Sequence, residues 1–290
     1  MHPRWLPVKS RLLAVTLVAA ALLSSAVVAG CGRSASGATD QLTVTGSTTV
    51  LPIAEVAAED FMTANPGKSV LVAGVGSSAG IESVSSGTSD IGTSSRDLKP
   101  EEAGLGLVDT KIALDAIAVI VNPSNPVDSL TTSQVADIFE GKIRNWKEVG
   151  GLDQEIGLVN RDEASGTREA FTKIVLGGGD FDPTAAVLPG TGQVRSVVAQ
   201  SPTAIGYISL GFVESKFTKE RVKALVIDGI APDENTVAAG TYPISRVLHF
   251  FTKGEPTGLT KEYIDFVLSS KIQDEVVRDA GFLPISAGVK

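Results

Sequence analysis

Two hydrophobic periods take turns along this chain. Short apolar or alternating runs of strand length are followed by stretches where apolar residues recur every three or four positions, the helical spacing. Leu42–Thr45, Val70–Ala73 and Asp90–Thr93 read as strands, with helices expected over Val50–Thr63 and Ser78–Ser86 between them. A second set follows. Helices are expected at Thr132–Phe139 (Ser133 a candidate cap), Gly166–Leu176 and Val194–Gln200, and strands at Ile156–Asn160 and Ile205–Ile208. Ala113–Val121 and Tyr242–Phe251 are long enough to pass between lobes, and a helix over Thr260–Ala280 would return the chain to the first lobe. The pattern predicts an α/β fold of two lobes, each a mixed sheet flanked by helices, joined by two crossing strands. Such a layout suits hinge closure on a ligand. The expected boundaries are residues 41–118 with 248–290 for lobe I and residues 119–247 for lobe II.

The first thirty residues are patterned differently. Arg4, Lys9 and Arg11 precede an apolar run from Leu12 to Ala29 that only Thr16, Ser24 and Ser25 interrupt. A basic segment followed by an apolar one is the pattern of a secretory signal, expected over residues 1–30. An uncleaved membrane anchor is the competing reading, because the run almost spans a bilayer. Val28-Ala29-Gly30-Cys31 decides between them, since it resembles a bacterial lipobox whose Cys becomes diacylated. Cys31 is the only Cys, so no disulfide can form within one molecule. Residues 31–40 then read as a lipidated Cys and a flexible Gly/Ser/Ala tether. The protein is expected at the cell surface or in the periplasm, held to the membrane through lipidated Cys31.

Composition and charge narrow the function. Hydrophobic residues make up 43% of the chain and charged ones 20%, which suits a globular protein. The chain has 25 basic and 33 acidic residues, and losing the three basic residues of the leader leaves 22, a net charge near −11. With a pI of about 4.9 and no basic run beyond the N-terminus, no nucleic-acid partner is expected. An enzyme is not expected either. His2 lies in the leader, so His249 is the one His left for a Ser/His/Asp triad, and it is far in sequence from Ser165. No Cys/His set suits zinc, and no metal or cofactor is expected, although carboxylate-only Mg²⁺ or Ca²⁺ sites stay open. Gly74-Val75-Gly76-Ser77-Ser78-Ala79-Gly80 places its last Gly one position late for a dinucleotide fingerprint. Gly67-Lys68-Ser69 has Met62 where a P-loop needs Gly.

The remaining chemistry lies in three clusters, each placed between a strand and a helix start. They are Thr45-Gly46-Ser47-Thr48-Thr49, the Gly74–Gly80 segment with Ser77, and Ala164-Ser165-Gly166-Thr167. One such cluster is an ordinary cap or turn. Three in one chain, the last just after Arg161, point to an anion site. Each would offer free N–H groups, hydroxyl donors and a Gly that lets the anion approach the backbone. A helix N-terminus carries roughly +0.5 charge, so three supply about +1.5, and Arg161 adds a full charge. Phosphate, at roughly −1.5 to −2 if a phosphoryl group is a guide, matches that sum. Arg161 could instead pair at the surface with Asp162 or Glu163, but its position just past a strand favours an inward role. Arg96 is open between ligand contact and a pair with Asp97.

At these motifs the chain resembles the phosphate-binding proteins of bacterial phosphate ABC transporters, from about Leu42 to Ile285. The likeness is carried by TGSTTVLP from Thr45, GVGSSAGI from Gly74, DIGTSSRDL from Asp90 and LTTSQVADIFEGKIRNWKEVGG from Leu130. It continues in NRDEASGTREAF from Asn160, AIGYISLG from Ala204 and GFLPI from Gly281. The resemblance implies a type II periplasmic-binding-protein fold, a monomer that captures inorganic phosphate by cleft closure and delivers it to ABC transporter membrane subunits. It implies ligand contacts at Thr48, Thr49, Ser77, Arg161, Ser165, Gly166 and Thr167, with Ser47 added by its adjacency. Trp146, within the group-specific IFEGKIRNW stretch, is expected to be scaffold. Family members place a proton-accepting Asp where Ser95 stands here, so phosphate selectivity would need Asp97, Glu163 or a backbone carbonyl. Ser95 and Arg96 complete the candidate set. Sulfate or molybdate, or a surface adhesin or sensor role, stay as alternatives.

Overall fold

Fifteen successive residues form the strand around which the protein is organised. In this computed structural model, which describes residues 40–213 and 221–287, the first strands and helices are β1 (Asp40–Gly46), α1 (Leu51–Ala64), β2 (Lys68–Gly74), α2 (Ser77–Ser86), β3 (Ile91–Ser94) and the long β4 (Leu107–Val121). Next come β5 (Ser129–Leu130), α3 (Thr132–Phe139), β6 (Gly157–Arg161), α4 (Gly166–Ile174), β7 (Ala186–Leu188), α5 (Thr191–Gln200) and β8 (Ala204–Ser209). The chain ends with β9 (Lys223–Ala224), β10 (Val226–Ile227), α6 (Glu234–Ala238), β11 (Ser245–Lys253), α7 (Gly258–Val267) and β12 (Leu283–Pro284). These residues belong to one compact unit, Thr39–Lys290. The expected signal, Cys31 and the tether up to Thr39 lie outside the described residues.

The main sheet runs in the order β2-β1-β3-β11-β4-β8-β6-β7, and β9 and β12 also pair with β4. β1 is parallel to β2 and β3, and β6 to β7 and β8, while β11 and β4 run against their neighbours. The first part of β4 pairs with β11 and its last five residues pair with β8. Its side chains change company in step. Ile112 and Ala113 join Leu42, Val44, Ile53, Phe61, Leu248 and Phe250 in one apolar core. Ala116, Ile117, Val119 and Val121 join Phe139, Trp146, Phe171 and Tyr207 in a second. The intervening Ala118 and Ile120 pack under α5 with Val194 and Val198 on the opposite face. Burial on both faces explains why this strand reads as a continuous apolar run. The result is the mixed, helix-flanked α/β fold expected from the pattern, with Trp146 at 1% exposure as scaffold, its Nε1 donating to Thr203 O at 2.9 Å.

Three local expectations are corrected. Thr131, not Ser133, caps α3: its hydroxyl accepts from Gln134 N at 3.1 Å and Gln134 Oε1 accepts from Thr131 N at 2.9 Å. The Thr-x-x-Gln spacing permits that exchange and Ser133 has no such partner. The helix expected over Thr260–Ala280 stops at Val267 and restarts as a wide turn at Ile272–Val277. Ser269 Oγ donates to Phe266 O at 2.6 Å, diverting a carbonyl of the last turn. Finally, α5 begins at Thr191, three residues before the expected start at Val194.

Candidate functional site

In both parallel sets of strands, C-terminal ends lead into the candidate loops, where open α/β sheets present ligand sites. β1 enters α1 through Ser47–Val50, β2 enters α2 at Ser77, β6 enters α4 at Gly166, and β7 enters α5 at Thr191. The first N–H groups of a helix have no intrahelical acceptor, so each loop brings orphan donors with it. Two hydroxyls are used to shape these turns. Ser47 Oγ accepts from Thr49 N and Val50 N at 3.2 and 3.4 Å, and Ser165 Oγ accepts from Arg168 N at 3.2 Å.

The loops touch one another. Thr48 Oγ1 lies 3.1 Å from Thr191 Oγ1, and Thr49 Oγ1 lies 3.1 Å from Thr167 Oγ1. Ser77 Oγ accepts from Ser95 N at 3.1 Å and lies 3.3 Å from Ser95 Oγ. Glycine makes room where the loops meet. A Cβ on Gly166 would sit 2.3 Å from Ser77 Oγ and 2.9 Å from Ser95 Oγ. Gly76, at φ +106°, would carry one 2.7 Å from Ala164 O. Ser47, Thr49, Ser77, Ser95, Ser165 and Thr167 are all buried, and Thr48 partly so.

Arg161 is 2% exposed and lies against this group. Its Nη1 donates to Thr191 Oγ1 at 3.2 Å and its Nη2 to Thr48 Oγ1 at 3.3 Å, while Leu188 O and Pro189 O accept from Nε and Nη2. Asp162 Oδ1 is 3.9 Å from Nη2, too far for a hydrogen bond. Burial pushes the Arg161 guanidinium down from its usual value, against a partial pull upward from Asp162. The inward position expected from its place in the sequence is the one observed.

Arg96 goes elsewhere. Its Nη1 and Nη2 donate to the Glu102 carboxylate at 2.7 and 2.8 Å, and Nε is 2.8 Å from Glu169 Oε2. The pairing partner is therefore Glu102, and only the backbone carbonyl of Asp97 accepts from it. Two carboxylates engage the guanidinium, whose Nη2 also donates to Ser78 Oγ of the second cluster at 3.3 Å, so Arg96 stands beside the hydroxyls as an ion-paired residue. Neither acceptor expected to replace the family's Asp faces the hydroxyl group. The Asp97 side chain is 74% exposed, and Glu163 is exposed as well. Ser95 O, a backbone carbonyl beside the hydroxyls, accepts from Arg246 at 3.2 Å.

Three residues of the site were not anticipated. Thr191 bridges Thr48 and Arg161. Its signal was present in Pro189-Gly190-Thr191-Gly192, a fourth cluster of the same kind before a helix. Asp115 and Arg246 are register partners on β4 and β11, with Arg246 Nε donating to Asp115 Oδ2 at 2.8 Å. Burial pushes the Asp115 carboxyl up, against Arg246, Ser209 and the Ala116 N–H. Asp115 and Arg246 are each a charge within an expected crossing run, which signals burial with a partner, but only the register of the two strands decides which partner. His249 is buried beside Asp109, with Nδ1 at 2.8 Å from Oδ1. Among the described residues no group of three or more His, Cys, Asp or Glu could hold a metal ion.

Known proteins share this arrangement of chain. A model of the PBP superfamily domain matches residues 33–271. The phosphate-binding protein PstS of Bacillus subtilis (strain 168) is 37% identical over 291 residues, covering 96% of this chain and 95% of that protein. PstS of Borreliella burgdorferi is 33% identical over 253 residues, covering 84% of this chain and 90% of that protein. Among solved structures, a phosphate ABC transporter substrate-binding protein with bound phosphate from Clostridium perfringens has a TM-score of 0.79 and 39% identity. That match covers 85% of this chain and 100% of the other. An ABC-type phosphate transport receptor from Vibrio cholerae has a TM-score of 0.70 at 35% identity, covering 83% of this chain and 99% of the other. With the superfamily model spanning most of its length, the chain belongs to the PBP superfamily, in the group of bacterial phosphate-binding proteins of phosphate ABC transporters.

Proposed function

We propose that the protein captures inorganic phosphate outside the cytoplasm and delivers it to the membrane subunits of an ABC importer. The observation that carries this reading is the buried meeting of Arg161 with Thr48 and Thr191, beside Thr49, Thr167, Ser77 and Ser95. Four helix starts, each worth roughly +0.5, and one guanidinium supply more positive charge than a phosphate dianion needs. The binding set proposed is Ser47, Thr48, Thr49, Ser77, Ser95, Arg161, Ser165, Gly166, Thr167 and the added Thr191.

Two lobes, residues 41–118 with 248–290 and residues 119–247, close on the anion about β4 and β11. The division is supported by the two apolar cores that share β4. Closure places each donor in a dry environment, where charge-assisted bonds strengthen. The protein works as a monomer tethered by lipidated Cys31, and the lipobox-like Val28–Cys31 sequence supports that anchor. Binding, with no bond made or broken in the ligand, is its whole activity.

Calorimetric titration of the protein from Gly32 onward with phosphate, sulfate and molybdate, repeated over pH, tests the reading. Saturable phosphate binding with weak sulfate binding is expected. Preferential sulfate or molybdate binding would replace the substrate, and absence of binding to all three would turn the reading toward an adhesin or sensor.

A further inference from the structure

Behind the threonines of the site lies a guanidinium with no donor left for an anion. Arg246 has five N–H donors. Its Nε donates to Asp115 Oδ2, and its Nη2 makes an ion pair with the same oxygen at 2.7 Å. Its Nη1 donates to Thr167 Oγ1 at 2.9 Å and to Ser95 O at 3.2 Å, and its Nη2 reaches Thr49 Oγ1 at 3.4 Å. Asp115 is fixed in turn by Ser209, whose hydroxyl donates to Oδ1 at 2.7 Å. Arg246 and Asp115 face each other across β11 and β4, at the place where β4 passes from one apolar core to the other.

We propose that Arg246, held by Asp115, is a positioning residue that sets the polarity of the Thr49 and Thr167 hydroxyls for the bound anion. This rests on the phosphate-binding reading above. A threonine hydroxyl has one proton and two lone pairs. Arg246 donates into the oxygens from behind, so neither proton can point back toward the guanidinium. The hydroxyls lie 3.1 Å apart, so one can donate to the other while the second proton points forward. An unprotonated oxygen of the arriving phosphate, which only accepts, then meets the forward proton of the hydroxyl pair. Arg246 and Asp115 sum to zero charge, so the pair orients the hydroxyls while the net cation facing the ligand stays Arg161. A lysine could not replace the fork, because an ammonium is a point charge without the planar spread that reaches two hydroxyls and a carbonyl.

The experiment is a double-mutant cycle on phosphate Kd, measured by calorimetry, with melting temperature recorded for each protein. It uses the wild-type protein from Gly32 onward, Arg246→Lys, Thr167→Val and the two combined. Arg246→Lys should weaken phosphate binding at least tenfold. The combined variant should bind within about twofold of the weaker single variant, because an arginine that acts through a hydroxyl has nothing to orient once the hydroxyl is gone. Losses that multiply, or Arg246→Lys within twofold of wild type, would overturn the proposal. If Arg246→Lys does not fold, Asp115→Asn with Arg246→Gln, which leaves no unpaired buried charge, takes its place in the same cycle under the same criteria. A wild-type protein that fails to bind phosphate would instead remove the functional reading, an outcome visible before any variant is compared.

Discussion

Arg161 shows why a buried charge can serve binding without being required for the fold. Its partners are two hydroxyls and two backbone carbonyls, and its nearest carboxylate stays at 3.9 Å. A cation neutralised only by dipoles keeps its attraction for an anion, and its burial carries a desolvation cost that an anion would offset. Arg161→Ala should therefore weaken phosphate binding at least tenfold, about 1.4 kcal/mol, which is the low end for a charge-assisted hydrogen bond. The melting temperature of the free protein should move little. Unchanged phosphate affinity in a calorimetric titration would remove Arg161 from the site. This residue was legible because it stands between a strand and a Ser-Gly-Thr helix start. Arg246 was not, because a residue's cross-strand partner depends on register, and Asp115 lies far from it in the sequence. Arg96 stayed open in the sequence for a related reason: the acids that hold it, Glu102 and Glu169, sit on other segments.

Elements were easier to read than their ends. Periodicity located every helix bordering the site, since each buries an apolar face, but hydroxyl chemistry set where other helices of the fold begin and stop. Thr131 starts α3, and Ser269 divides the last helical segment. The short turn Pro100–Leu105 carries Glu102, while α4 carries Glu169, and both approach Arg96. Lys99 Nζ is also 3.3 Å from Glu169 Oε2, so this ion cluster spans the two candidate lobes beside the site. Burial alone would push the Glu102 carboxyl up, but hydrogen bonds from Arg96 and from the Lys99 N–H outweigh it and hold the group below its ordinary 4.5. A carboxyl with a lowered folded value stabilises the protein above its unfolded pKa, and the stabilisation is lost as pH falls through the folded value. From about pH 5 to about pH 3 the wild-type melting temperature should therefore fall more steeply than that of Glu102→Gln. Parallel curves in a thermal-melt series would show that Glu102 does not contribute to the acid sensitivity.

At the scale of the whole molecule, the site and its surroundings oppose each other. From Gly32 onward the chain carries 22 basic and 33 acidic residues, so an anion approaches a protein of net charge near −11. The attraction that holds it comes from donors within hydrogen-bond distance, while the repulsion acts across the molecular diameter. Salt separates these ranges. The screening length falls from about 30 Å at 0.01 M to about 8 Å at 0.15 M, shorter than the molecule but longer than any contact in the site. Added salt should then weaken the long-range repulsion and leave the short bonds nearly intact. In stopped-flow measurements, the association rate constant for phosphate is expected to rise by roughly twofold or more over that range, with dissociation nearly unchanged. The opposite slope, slower association as salt is added, would mean that cations near the cleft mouth steer the ligand in spite of the net charge. The sign of one salt dependence thus decides whether capture is guided from a distance or depends on the donors met at contact.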